Sequence, residues 1–494
     1  MRDKTLLQAL ILGLGQVSAK ILSLIFLFRF SNDLGKAGMS LYAYAYVPFS
    51  IFADLSCFGL IPGTSKLVSK LKAENKTDRI ANLLWKGTIY ASLAGACFFL
   101  FMLFFSRQIL TVSLFDNLDE QTFNEVRMNL LFASISLFVI PINHFFKGFL
   151  QGHLMMYPSC IAIILENVIK LVAYIICRKS GVEANYIHLT FIIYFASYLG
   201  SAFLLFLFVL KFYKRPKIHY HALFDLLRTS IPFGIATMFF TIYQFIDSIS
   251  LPILLPVEGY YAAYMFETIR LIFFPIVIAQ ALGGALNPKM NYMFQEDKMK
   301  EANALAKKCS TWIIYILVPL TCIMKFFSDE IYHSFYQQEQ GAAILYHISS
   351  LIFFFGLYKV LIGISIGLPR GYYIIVATII SAMAKYVLNY LLIPSFGYLG
   401  AIYSTMISVS ICILAAYVVL KLEGILLFWK NVIAILKSIL AVFLSGFLVV
   451  VFRTCFSLKA YPNYYNIVLY SILLLGIYYI LLNLNQPKKD TCIE

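Results

Sequence analysis

Charged side chains are scarce in this chain, at 13% of its 494 residues, whereas hydrophobic residues make up 61% of it. A soluble globular domain carries about 25% charged residues, because its surface must be covered by polar groups. The shortage of charge therefore excludes a soluble globule. It predicts an all-α protein that crosses a membrane many times, since long apolar segments span bilayers as helices.

Acidic side chains are scarcer than basic ones: 24 stand against 39, which gives a formal charge of +15. A surplus of this sign can indicate nucleic-acid binding, but here the basic residues lie in short loops between apolar stretches. That placement is typical of membrane proteins, whose cytoplasmic loops are enriched in Lys and Arg. Nucleic acid is therefore not an expected partner, whereas membrane lipids are.

Motifs of catalysis and metal binding are lacking as well. The chain has no H-E-x-x-H, G-x-S-x-G or Walker A pattern, and its nine cysteines and seven histidines do not cluster at ligand spacing. We therefore expect neither an enzyme, nor a metal site, nor a cofactor. Without a nucleotide site, any energy-driven step would be coupled to ions or to the membrane potential.

Apolar stretches long enough to cross a bilayer recur along the whole chain, as a window of about 19 residues shows. The sequence predicts fourteen such spans, at about 5–30, 39–62, 85–106, 128–150, 157–177, 187–210, 229–254, 262–286, 308–327, 343–366, 372–393, 398–420, 430–452 and 463–483.

The loops predict an orientation. Basic residues concentrate in alternate loops, such as "SKLVSKLKAENKTDR" and "KFYKRPK", and in both termini. Because loops rich in Lys and Arg stay in the cytoplasm, we expect a multi-pass protein of the cytoplasmic membrane with both termini inside.

An internal repeat organises the spans. Two glycines and a lysine recur with identical spacings, first as Gly148, Gly152 and Lys170 and then as Gly363, Gly367 and Lys385. The repeat predicts two six-helix lobes, 1–222 and 223–424, followed at 425–494 by two extra spans and a cytoplasmic tail. Transporters with repeats of this kind bind substrate at the interface between the halves.

We expect ten ionisable side chains of the predicted spans to be buried. They are Lys20, Lys147, Lys170, Arg270, Lys359, Lys385, Asp54, Glu166, Asp247 and Glu267. Such groups are expensive in a bilayer, at about 2.5–3.5 kcal/mol for Arg at the centre of a span, so they indicate cavities or partners.

Two interpretations of these charges stay open. Glu166 and Lys170 are four residues apart and Glu267 and Arg270 three apart, so each pair could lie on one helical face and neutralise itself. The surplus of basic groups instead favours a cavity that binds an anion such as a phosphate. The carboxylates are then candidates for ion coupling.

Two stretches resemble a known family. "LGKAGMSLYAYAYVPFSIFADLSCFGLIPGTSKLVSK" and "KGFLQGHLMMYPSCIAIILENVIK" are similar to segments of the polysaccharide-biosynthesis branch of the multidrug/oligosaccharidyl-lipid/polysaccharide exporter superfamily. Within it, the chain resembles MurJ-type lipid II flippases and the stage V sporulation protein B group.

The resemblance implies two six-helix lobes arranged in a V, with a groove for a polyprenyl tail beside the two extra spans. It also implies a cationic cavity in which Lys20, Arg270 and Arg29 bind a diphosphate. The implied activity is the flipping of a lipid-linked oligosaccharide, foremost lipid II, to the outer leaflet. The implied partners are that lipid, membrane lipids and cell-wall synthesis machinery.

Three alternatives remain on the sequence alone. The cargo could be a capsule, exopolysaccharide or teichoic-type unit, since the first span carries Lys20 where the family usually has Arg. A cation/drug antiporter shares the superfamily fold but relies on buried acids. A scaffold or lipid scramblase is the third.

Overall fold

The computed structural model describes residues 2–114, 119–179, 186–213, 222–255, 260–336, 341–366, 368–455 and 463–484. Within these ranges the regular secondary structure consists of helices, with no strands. The predicted all-α fold is confirmed.

Twelve helices in the described ranges are long and apolar enough to cross a membrane, which confirms a multi-pass membrane protein. The other two of the fourteen predicted spans correspond to shorter apolar helices, Phe239–Leu254 and Tyr470–Leu482. The predicted span at 229–254 is interrupted, because one helix ends at Thr237 and the next begins at Phe239.

In chain order the α-helices are α1 (Arg2–Ser56), α2 (Leu60–Ala73), α3 (Thr77–Leu114), α4 (Glu120–Ser134), α5 (Ile140–Gly152), α6 (Tyr157–Lys179), α7 (Tyr186–Val209), α8 (Ala222–Thr237), α9 (Phe239–Leu254), α10 (Tyr260–Ala262), α11 (Ile269–Gln295), α12 (Met299–Phe326), α13 (Ser328–Tyr336), α14 (Ala342–Ile348), α15 (Ser350–Ser365), α16 (Tyr372–Phe396), α17 (Tyr398–Leu422), α18 (Phe428–Cys455) and α19 (Asn463–Leu484). A π-helical turn, Ala263–Thr268, joins α10 to α11.

The chain divides into two compact units. The first comprises Met1–Glu267 and Tyr372–Ser408, and the second comprises Thr268–Gly371 and Val409–Glu494. The predicted lobes divide the chain by its repeat rather than by its packing, so their bounds stay a prediction.

Helix α1 contains the first predicted span and most of the second, which ends in α2, and a bend at Gly35 separates the two spans. Gly35 has φ 62° and ψ −171°, a conformation that only glycine adopts without strain. Asp33, just before the bend, is held by the end of α6, because Arg178 forms an ion pair with it at 2.8 Å and the Tyr174 hydroxyl donates a hydrogen bond to it. The bend is therefore fixed from a neighbouring helix.

Aromatic side chains pack the core between α1 and α7 in the first unit. The ring of Tyr42 is fully buried, stacked on Phe191 at 5.3 Å and met edge-on by Phe30 at 4.9 Å. The hydroxyls of Tyr42 and Tyr194 share a hydrogen bond of 2.8 Å. These contacts place Tyr194 beside an ion cluster described below.

The glycines of the repeat allow helices to approach closely, as small residues do in membrane proteins. In the first unit, a Cβ at Gly148 would lie 2.7 Å from the carbonyl oxygen of Ile61, so α5 packs directly on α2. In the second unit, a Cβ at Gly363 would lie 2.3 Å from the carbonyl oxygen of Gly283, so α15 packs directly on α11. Gly367 lies outside the described residues.

We expect Gly283→Ala to destabilise the second unit. Its Cβ would lie 2.3 Å from the carbonyl oxygen of Lys359, so α15 would have to shift. Overpacking of this kind costs about 1–3 kcal/mol. Thermal unfolding in detergent measures the effect, and Gly284→Ala is the matched control, because a Cβ there has nothing within 4 Å. Equal melting temperatures for the two variants would contradict the close approach.

Candidate functional site

Five of the ionisable residues predicted from the sequence form two buried ion clusters in the first unit. One consists of Lys147, Glu166 and Lys170, and the other contains Asp247 and Lys385. The repeat pairs Lys170 with Lys385, and each of these lysines bonds a carboxylate. The sequence identified the residues, but it gave only the Glu166–Lys170 pairing.

The first cluster joins α5 to α6. Lys170 Nζ lies 2.9 Å from Glu166 Oε1, one helical turn away, and Lys147 Nζ lies 3.9 Å from Glu166 Oε2. Lys170 also faces the rings of Tyr194 and Tyr198, at 4.7 and 4.6 Å from their centroids. Lys170 therefore has a carboxylate and two aromatic faces as partners, each of which stabilises an ammonium group.

Charge does not balance in the first cluster. Lys147 and Lys170 are 6% and 8% exposed, and together they bring two ammonium groups to one carboxylate. Among the described residues the Lys147 ammonium donates no hydrogen bond, and its contact with Glu166 is a long one. The cluster thus holds a surplus of buried positive charge when all three groups are ionised.

The second cluster joins α9, α16 and α17 within the first unit. Lys385 is fully buried, and its Nζ donates to Asp247 Oδ1 at 2.7 Å and to Thr405 Oγ1 at 2.6 Å. The ring of Tyr243 lies 5.5 Å from the same nitrogen. Burial of this pair is offset by short, charge-assisted hydrogen bonds.

Further polar side chains complete the second cluster. The Asn389 amide donates to Asp247 Oδ1 and to Ser250 Oγ, at 2.8 Å each, and accepts a hydrogen bond from the Ser404 hydroxyl. The Tyr264 hydroxyl donates to Asp247 Oδ2 at 3.2 Å. The sequence analysis missed these uncharged partners, although Asn389 follows Lys385 by one helical turn in an apolar span, which is a usable signal.

The residues predicted to bind a diphosphate lie on two helices, α1 and α11. Lys20 in α1 is half-buried, whereas Arg29, further along α1, is exposed. Arg270 in the second unit is half-buried and is the second residue of α11. Their predicted role stays a prediction.

Three other predicted residues have distinct surroundings. Glu267 is 3% exposed and lies in the π-helical turn before α11. Asp54 is exposed and accepts a hydrogen bond of 2.7 Å from Thr241. Lys359 in α15 is half-buried. The π-helical turn is a feature that frequently marks functional sites.

No group of three or more His, Cys, Asp or Glu side chains in the described ranges could hold a metal ion. The two buried ion clusters instead consist of lysines paired with one carboxylate each. Charged groups of this kind inside membrane helices are typical of proteins that move polar or charged cargo across a bilayer. The fold and the buried charge thus define the class as a multi-pass helical membrane protein with ion pairs buried among its helices.

Known proteins agree with this class. The structure is similar to that of the lipid II flippase MurJ in an inward closed conformation, with a TM-score of 0.69 and 15% identity over 96% of this chain and 98% of that one. It is also similar to an outward-facing multidrug resistance MATE family transporter of the MOP superfamily, with a TM-score of 0.65 and 13% identity over 86% and 95% of the two chains.

The sequence narrows the class to a family. The model of the family described as "Polysaccharide biosynthesis protein" matches residues 6–293, and the chain belongs to this family. The lipid II flippase MurJ of Bacillus subtilis (strain 168) is 23% identical over 457 residues, which are 85% of this chain and 83% of that protein. The resemblance identified from the sequence is confirmed.

Proposed function

We propose that the protein is a flippase that carries a polyprenyl-diphosphate-linked saccharide from the inner to the outer leaflet by alternating access. Lipid II is the proposed substrate. The observation that carries the proposal is similarity to a lipid II flippase along 85% of the chain, together with a fold that matches such a flippase over 96% of it.

The chemistry of the substrate supports a basic binding site. A diphosphate carries several negative oxygens, which Arg binds with a planar pair of N–H groups and Lys binds as a point charge. We assign this role to Lys20, Arg270 and Arg29, as the family resemblance implies. The polyprenyl tail would remain in the lipid phase, so only the head group needs a polar path.

Orientation and coupling belong to the same proposal. We place the protein in the cytoplasmic membrane with both termini inside, where the lobes 1–222 and 223–424 rock about the substrate and 425–494 supplies the two extra helices. Transport is driven by ions or by the membrane potential. Cell-wall synthesis enzymes would use the exposed lipid.

Another lipid-linked oligosaccharide is the second candidate substrate. The family model that matches residues 6–293 is described by polysaccharide biosynthesis, which favours a capsule, exopolysaccharide or teichoic-type unit. A cation or drug antiporter is less well supported. Such a carrier needs carboxylates that can meet a cationic cargo, whereas Glu166 and Asp247 are already bonded to lysines.

Complementation tests the substrate. In a bacterium depleted of its own lipid II flippase, we expect this protein to restore the exposure of lipid II on the outer face, measured with an externally added lipid II-modifying enzyme. The depleted strain with an empty vector gives the lowest expected exposure of lipid II, and the strain with its native flippase gives the highest. Good membrane expression without restored exposure would exclude lipid II and leave the second candidate.

A further inference from the structure

Two short helices of the first unit, α2 and α8, cross each other at glycines. A Cβ at Gly59 would lie 2.6 Å from the backbone nitrogen of Gly234. A Cβ at Gly63 would lie 2.2 Å from the hydroxyl oxygen of Ser230. The contacting residues are four apart on each helix, so one face of α2 meets one face of α8. The two backbones approach as closely here as small residues allow.

Both helices are separated from the next helix by a break close to this crossing. α1 ends at Ser56 and α2 begins at Leu60, with Gly59 between them in the left-handed conformation, at φ 63° and ψ 12°. A second break separates α8, which ends at Thr237, from α9, which begins at Phe239. Because hinges lie at the ends of helices, α2 and α8 can each turn about a break while their own hydrogen bonds stay intact.

The crossing joins the two predicted lobes, 1–222 and 223–424. α2 is bound to α5 of its own lobe, because the Ser69 hydroxyl donates a hydrogen bond of 3.0 Å to the carbonyl oxygen of Gly152. The Lys72 ammonium adds a second bond, of 3.4 Å, to the carbonyl oxygen of His153. α2 leads into the basic loop "SKLVSKLKAENKTDR" and α8 follows the basic loop "KFYKRPK". The crossing thus lies towards the loops predicted to be cytoplasmic.

The crossing buries a hydroxyl group that has no partner. Ser230 is 3% exposed, and among the described residues its hydroxyl forms no hydrogen bond. The hydroxyl of the neighbouring Thr229 differs, since it donates to the carbonyl oxygen of Asp225 at 2.8 Å. A buried polar group without a partner costs free energy that it regains when water reaches it. Ser230 therefore disfavours the crossing and favours the separation of α2 from α8.

We propose that α2 and α8 form the cytoplasmic gate of the carrier, and that the crossing of Gly63 with Ser230 is its closed position. The gate opens when α2 and α8 part at the breaks beside Gly59 and Thr237. Opening hydrates the Ser230 hydroxyl and admits the head group of the lipid. The inference rests on the proposed transport by alternating access, but it holds for any lipid-linked saccharide.

The test labels a thiol at the crossing. A membrane-impermeant maleimide is added to the cytoplasmic face of inverted membrane vesicles that contain Ser230→Cys, and peptide mass spectrometry follows the label at position 230 alone. We expect slow labelling that reaches completion, because the gate opens transiently. Adding Gly63→Ala places a methyl group in the crossing and disfavours the closed position. Labelling should then be about tenfold faster, which corresponds to about 1.4 kcal/mol of overpacking.

Two controls separate opening of the gate from loosening of the whole fold. Gly284→Ala, where a Cβ has nothing within 4 Å, should leave the labelling rate of Ser230→Cys unchanged. Cys412 is fully buried in α17 and should stay unlabelled until the protein is denatured. No labelling at position 230 of the folded protein, or equal rates with and without Gly63→Ala, would overturn the proposal.

Ser230→Ala tests the unpaired hydroxyl and decides the question if Gly63→Ala does not fold. It removes the buried polar group, so we expect the variant to melt at a higher temperature than wild type in detergent. Ser197→Ala is the matched control and should melt lower, because the buried Ser197 hydroxyl donates at 2.7 Å to the carbonyl oxygen of Tyr194. Melting of Ser230→Ala at or below the wild-type temperature would contradict a strained closed position and overturn the proposal. These measurements need no lipid cargo, so their failure is distinct from a failure to restore lipid II exposure.

Discussion

Replacing Arg270 with alanine is expected to lower the rate of lipid II exposure by about 100-fold or more. In the proposed role, Arg270 forms two charge-assisted hydrogen bonds to the diphosphate that alanine cannot form, and each is worth at least about 1.5 kcal/mol. Since 1.4 kcal/mol corresponds to a factor of ten, the sum of about 3 kcal/mol gives this loss. The measurement is the exposure assay in the flippase-depleted strain.

The size of the effect rests on the geometry of the guanidinium group. Its planar pair of N–H groups binds two phosphate oxygens at once, and inside a membrane protein water competes weakly for them. Lysine at the same position keeps the charge but loses the second parallel bond. We therefore expect Arg270→Lys to retain more activity than Arg270→Ala, with about a tenfold loss.

A matched control separates this effect from a general loss of positive charge. Arg107 in α3 is exposed, and Arg107→Ala should leave lipid II exposure close to that of wild type. All variants must reach the membrane in equal amounts, measured by immunoblotting. Normal lipid II exposure by Arg270→Ala would remove this residue from the mechanism.

Replacing Glu166 with glutamine is expected to unfold much of the protein in detergent. The carboxylate is the shared partner of two buried ammonium groups, at 2.9 Å from Lys170 and 3.9 Å from Lys147. Removing one member of a buried ion pair costs about 3–5 kcal/mol, because the remaining charge is left buried without a counter-ion. Here two charges would remain. The measurement is the melting temperature of the purified variant.

Neutralising the whole cluster should reverse most of this loss. The triple variant Glu166→Gln, Lys147→Met, Lys170→Met has no charge left in this cluster. Proteins in which apolar side chains of similar volume replace a buried ion pair are often as stable as the original protein. Glu120→Gln, an exposed change at the start of α4, is the control. If Glu166→Gln and Glu120→Gln had the same melting temperature, the cluster would contribute little to stability.

Local patterns of the sequence predicted most of the fold. Hydropathy alone located the twelve long helices, because a bilayer demands about 20 apolar residues from any helix that crosses it. Local spacing also predicted the pairing of Glu166 with Lys170, since residues four apart lie on one helical face. The recurrence of Gly148 as Gly363 indicated an internal repeat, and only the structure showed that helices approach closely at both glycines.

Contacts between side chains on different helices were decided by the tertiary structure alone. Asp247 and Asn389 are 142 residues apart and meet only because α9 packs on α16, so no periodicity in the sequence could pair them. Lys147 reaches Glu166 from a second helix. The sequence by itself determined which segments enter the membrane and which charges go with them. The packing of the helices determined which carboxylate each buried lysine meets, because a buried charge needs a partner within bonding distance, and that distance exists only in the folded chain.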